Sequence, residues 1–360
     1  MKRIFVSDCE GPISKNDNAF ELTQHFVSNG DKLFSIISKY DDVLVDIVKR
    51  KSYNAGDTLK LILPFLKACD ITDKQIEEFS AHNLVFIAGS KETLKHITRM
   101  AEAFIVSTSY EQYIKKLCEA LDFPFENTYC TRLNIDKYKI PVQEKSKLKT
   151  IAKEIASMPM ITIPREAKSV RDFSIADQET VKRLDEIFWK EISNMRCGVI
   201  LSEVKPVGGK QKAEAILDIV KKLKLPLSNV IYVGDSITDV EAFQLVKSNG
   251  GLAVSFNGNN YAIKNAEIAI MSENNIATAL IADVFLGYGK AKALQIAEAW
   301  NTNSLEHSSA NPILIERYSK FRPKALPKVQ IVTAKNMEAL SKESSEFRKK
   351  VRGEAVGKLG

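Results

Sequence analysis

Asp8 and Glu10 stand two residues apart in VSDCEGP, directly after the apolar run Ile4-Phe5-Val6 and directly before Gly11-Pro12, which breaks the chain. Side chains on a strand alternate faces, so two carboxylates at this spacing point the same way if the strand continues to them. Like charges about 4 Å apart repel by roughly 4 kcal/mol at an effective dielectric near 20. A buried pair therefore calls for a cation, a shared proton, or both. By itself the stretch also reads as an exposed acidic turn, so other segments have to decide.

Further residues of the same kind sit where strands end. In VIYVGDSITD, Gly234 turns the chain, Asp235 follows, and Asp239 lies four residues on, sharing a face with it if a helix begins there. Acids at a helix start also serve as caps. In FIVSTS, Ser107 and Thr108 close an apolar run just before the helical pattern YEQYIKKL, a place where hydroxyls and free backbone N–H groups hold anions. In PVGGKQKAEAI, Lys210 follows two glycines at another helix start. Carboxylates of this sort suit Mg²⁺, a hard cation bound through one or two acids, waters and a substrate phosphate.

The elements around these residues predict an α/β fold with a parallel, Rossmann-like sheet, because short β-rich runs alternate with helical patterns. RIFVS, Ala103–Ser107, NTYCTRLNI, GVILSEV, NVIYVG, LAVSF and EIAIM read as strands. Residues 16–84 carry 3.6-residue apolar periodicity and read as a helical cap. Residues 137–196 are polar, mainly helical and interrupted by prolines, and read as an insertion, a second cap or an interaction element. The core is thus expected from 1–15, 85–136 and 197–275, with a mostly helical extension and basic tail over 276–360. In open parallel sheets ligands bind beyond the carboxyl ends of strands, where the acid and hydroxyl turns would converge.

In this order along the chain, Asp8-Cys9-Glu10, Ser107, Lys210 and Gly234-Asp235…Asp239 resemble the haloacid dehalogenase-like hydrolase superfamily. AGSKETLKHI and STSYEQYIKKL are similar to its phosphoserine phosphatase and phosphoserine–homoserine phosphotransferase branch. The resemblance implies phosphoryl transfer through a phospho-aspartyl intermediate, with Asp8 as nucleophile and Glu10 as general acid and base. It further implies Mg²⁺ on the Asp8 and Asp235 carboxylates and the Glu10 carbonyl. Phosphate oxygens would be held by Ser107, Thr108 and Lys210, with Asp239 orienting the lysine or a metal water. Asp17 falls where relatives meet a substrate ammonium, and it also reads as a helix N-cap. Two departures matter: Glu10 stands where most members have Asp, and Ile62 stands near where phosphoserine-specific members place a carboxylate-binding Arg.

The expected activity is a Mg²⁺-dependent phosphatase or phosphotransferase acting on a small phosphorylated metabolite. The alternative is a regulatory or scaffold subunit on the same fold. Five scattered cysteines without a Cys-x-x-Cys pair argue against a disulfide framework or zinc site and for a reducing, cytoplasmic setting. No apolar run approaches the roughly 20 residues of a membrane span, and no secretory leader opens the sequence. The net charge of +7 gathers partly in KFRPKALPK and FRKKVRGEAVGK. The last run lacks the interleaved aromatics of a base-stacking platform, so a nucleic-acid partner is not expected. The insertion and the extension offer surfaces for a homodimer or a protein partner.

Overall fold

The computed structural model describes residues 2–301, 310–320 and 327–359. Its centre is a seven-stranded sheet of order β3-β2-β1-β4-β5-β6-β7. The strands are β1 (Ile4–Ser7), β2 (Glu102–Tyr110), β3 (Thr128–Thr131), β4 (Val230–Gly234), β5 (Leu252–Phe256), β6 (Ile268–Met271) and β7 (Lys328–Ile331). Every pairing is parallel except β6 with β7. Strand β1 pairs with both β2 and β4, which brings the carboxyl ends of three strands side by side.

The short strands are apolar throughout because helices cover both faces, as parallel sheets require. Ile4 and Val6 of β1 pack on one side with Ile216, Ile219 and Phe243. Phe5, on the opposite side, joins Ile231, Leu280 and Phe285. The helix Ile276–Tyr288 lies on that second face and is buried along almost its whole length, so part of the expected extension belongs to the sheet's own core.

Residues 16–84 and 137–196 do not bury separate cores. Leu33, Ile37, Leu61 and Leu66 from the first segment share one apolar cluster with Leu148, Ile155, Leu184 and Phe188 from the second. The expected strand GVILSEV is corrected here: it forms a short helix, Val199–Glu203, whose Ile200 and Leu201, with Val204 just after it, join that same helical cluster. The β-branched run suggests a strand, but Ile200 and Leu201 within the helix and Val204 just past its end all turn to the helical cluster. The extension also adds β7, a strand absent from the sequence reading, and the helix Met337–Arg352, followed by the single turn Glu354–Gly357. Most of the basic run over 320–328 lies outside the described residues.

Candidate active site

Asp8 follows β1, and its backbone N–H is held by the carbonyl of Val233 in β4, 2.8 Å away. The chain then turns sharply. Gly11 has φ +108°, and a Cβ there would come within 2.1 Å of Oδ2 of Asp235, so a side chain is excluded on both counts. This turn is what lets the two acid-bearing loops meet. On the other loop, Asp239 accepts the N–H groups of Asp235 (2.8 Å) and Ser236 (2.9 Å) through Oδ2. Gly234 leaves room for it, since a Cβ there would sit 2.5 Å from the Asp239 carboxyl carbon.

Carboxylate oxygens of Asp8, Asp235 and Asp239 lie within 4.8 Å of one another, the arrangement among the described residues able to hold a metal ion. All three are buried. These are hard oxygen donors of the kind Mg²⁺ takes, so the residues present fit such an ion.

The lysine of the site is not the expected one. Lys210 is exposed at the start of the helix Lys210–Leu223. Lys212, two residues on, is fully buried, and its Nζ lies 2.7 Å from both Asp8 Oδ2 and Asp239 Oδ1. The signal was present in the sequence: Lys212 shares a helical stripe with Ala215, Ile216 and Ile219, which all face the core, whereas Lys210 does not. Tyr232 of β4 donates its hydroxyl to the same Asp239 oxygen at 2.7 Å. Burial would raise Asp239, but the Lys212 ammonium and these donors hold its carboxyl below the usual range. Burial pushes Asp8 up to about 7 against the pull of Lys212.

Glu10 faces the helical unit. Its Oε1 accepts the N–H of Asn18 at 2.6 Å, and burial lifts its carboxyl well above the ordinary carboxylate value. Asp17 caps the helix Asn18–Phe26 by accepting the Phe20 N–H at 3.0 Å, and it also lines the same cleft. Ser107 is buried near the end of β2 and accepts the N–H of Ser109 at 3.2 Å. Thr108 lines the cleft with a buried Oγ1 that has no partner.

Two further residues come from the far end of the chain. Arg348 and Arg352, one turn apart on the helix Met337–Arg352, both donate to Oδ2 of Asp235, the latter at 3.2 Å. Arg348 also meets the Asp235 carbonyl at 3.2 Å, and Arg352 clasps the carbonyls of Lys15 and Asn16 just beyond the acid turn. Leu340, Ser344 and Arg348 are buried at a four-residue spacing that continues to Arg352, so one stripe carries the arginines inward. Charges all around that helix hid the stripe in the sequence.

The cleft holding these groups is lined by Asp8, Glu10, Asp17, Thr108, Asp235 and both arginines, with Phe34, Asp41 and Leu59 of the helical unit opposite. Its volume is about 90 Å³. No helix among the described residues is long and apolar enough to cross a membrane.

The chain is similar over 100% of its length, and over 99% of the other's, to the structure of gene product AF1437 from Archaeoglobus fulgidus, with 26% identity and a TM-score of 0.80. The C-terminal helix is thus part of an architecture shared end to end. A substrate-bound phosphoserine phosphatase complex and a phospho-aspartyl intermediate analogue of phosphoserine phosphatase each match at 14% identity. Each match covers 76% of this chain and 95% of the other, at a TM-score of 0.45. No curated protein matches the sequence. The profile of one family spans most of the chain, from residue 45 to residue 280, and includes Ser107, Lys212, Asp235 and Asp239. The chain belongs to the haloacid dehalogenase-like hydrolase family.

Proposed function

We propose that the protein is a Mg²⁺-dependent phosphatase or phosphotransferase acting on a small phosphorylated metabolite. The observation that carries this reading is the meeting of Asp8, Lys212, Asp235 and Asp239 at the carboxyl ends of β1 and β4. Asp8 Oδ attacks phosphorus in line as the bond to the leaving oxygen breaks, giving a phospho-aspartyl enzyme. Glu10 donates its proton to the leaving oxygen, then takes one from the water or alcohol that attacks the phosphoryl group and restores Asp8. The raised carboxyl of Glu10 agrees with the acid half of that role. Lys212 stands on Asp8 and holds the phosphoryl charge, while Ser107 and Thr108 offer hydroxyls to its oxygens. A divalent cation on Asp8 and Asp235 would supply the remaining charge neutralisation. Asp239 orients Lys212.

A cleft of about 90 Å³ is far below the roughly 300–1,000 Å³ of a site for a drug-sized ligand. It suits a phosphoryl group, with Phe34, Asp41 and Leu59 of the helical unit facing the rest of the substrate. The test is hydrolysis of a generic aryl phosphate with and without Mg²⁺, beside Asp8→Asn. Mg²⁺-dependent turnover lost in the variant supports the reading. A wild type inert toward aryl and metabolite phosphates, with and without an acceptor alcohol, overturns it.

A further inference from the structure

The arginines of the helix Met337–Arg352 lie in the basic run FRKKVRGEAVGK, yet they reach the cleft. Arg348 is 3% exposed, lines the cleft, and carries a buried Nε with no partner. A buried guanidinium with an unmet donor is expensive unless an anion completes it. Thr108 lines the same cleft with a second buried, unpartnered polar atom, its hydroxyl oxygen. Both arginines donate to Oδ2 of Asp235, and neither hydrogen bond uses Oδ1. Guanidinium and cation can therefore divide the Asp235 carboxylate between its two oxygens.

The local charges favour the same reading. Arg348 and Arg352 are the cations lining a cleft otherwise walled by the carboxylates of Asp8, Glu10, Asp17 and Asp235, so they are the lining groups able to balance a phosphoryl group beside Asp8.

Resting on the phosphoryl-transfer reading above, we propose that Arg348 is a phosphoryl-binding residue of the active site, delivered by the C-terminal helix. Arg352 is a positioning residue that ties this helix to Asp235 and to the acid turn through the Lys15 and Asn16 carbonyls. The segment that looks like a basic tail is then an integral wall of the site.

The test measures ligand binding and does not depend on turnover. Inorganic phosphate binding is titrated calorimetrically with Mg²⁺ present for the full-length wild type, Arg348→Met and Arg348→Lys, and Mn²⁺ binding without phosphate is followed by electron paramagnetic resonance. Loss of one charge-assisted hydrogen bond weakens phosphate binding by about tenfold to a hundredfold in Arg348→Met. Arg348→Lys recovers part of that loss, and Mn²⁺ affinity moves by less than about threefold. In the wild type, phosphate added to the Mg²⁺-bound protein slows amide exchange over residues 337–352, a readout that needs no variant to fold.

Phosphate binding unchanged in Arg348→Met, or wild-type exchange over that helix indifferent to phosphate, overturns the proposal while leaving the phosphoryl-transfer reading standing. A Mn²⁺ affinity that rises tenfold or more in Arg348→Met also overturns it, because the arginine would then be blocking the cation. Absence of both phosphate binding and aryl phosphate turnover in the wild type sinks the phosphoryl-transfer reading itself.

Discussion

Lys212 is shared between Asp8 and Asp239, whereas Asp235 is shared between Arg348 and Arg352. Both clusters are buried and both join strand ends to a helix, but their charge ratios are opposite. One cation between two acids leaves a negative excess that draws a metal ion. Two guanidiniums share one carboxylate oxygen, with Asp17 and Glu10 close by, and the buried Nε of Arg348 keeps a donor to spare for an anion. A phosphomonoester with its cation needs both, side by side. The clusters also differ in redundancy: Lys212 has no substitute in its pair of salt bridges, while either arginine still meets Asp235 when the other is removed.

The largest expected effect falls on the lysine cluster. Asp8→Asn keeps the shape of the side chain and removes its nucleophilic charge, so kcat on an aryl phosphate should fall by at least about a thousandfold. A loss of less than tenfold would make that cluster structural only.

Lys212→Met comes next. It strands two buried carboxylates and should destabilise the fold by about 3–5 kcal/mol in urea unfolding. Arg348→Met, with Arg352 still on Asp235, should lose roughly 1–2 kcal/mol, near the usual size of a point-mutant effect. Equal losses in the two variants would erase the difference in redundancy.

Glu10→Asp should lower kcat by about a hundredfold, because a shorter side chain withdraws the carboxyl by about an ångström from its place against the Asn18 N–H. Unchanged turnover would mean that the length of this residue is immaterial. Lys210→Ala should change neither activity nor stability by more than about 0.5 kcal/mol, since that side chain is exposed. A loss comparable to that of Lys212→Met would restore Lys210 to the site and dissolve the comparison.

How much of this was legible differs between the regions. Asp8, Glu10, Asp235 and Asp239 could be singled out because each pair lies at a break in the chain just past an apolar strand, and strand ends are few. Lys212 was missed by two positions, although the apolar stripe Ala215, Ile216 and Ile219 marks it as the inward lysine. GVILSEV misled because β-branched residues also fit a short buried helix, and only the neighbouring cluster of the helical unit decides between the two. Strand β7 is only four residues long and pairs antiparallel at the sheet edge, so no helix crossover marked it.

Local patterning thus determined the α/β alternation, the central strands and the acid-bearing turns, because period-2 and period-3.6 repeats and turn residues act over a few neighbours. Three things were decided only in three dimensions: the merging of two helical segments into one core, the choice of lysine, and the arrival of Arg348 and Arg352 on Asp235. The last joins residues more than a hundred positions apart, and no spacing rule reaches that far. It depends on where the helix Met337–Arg352 docks, and docking follows from packing and charge across the whole molecule.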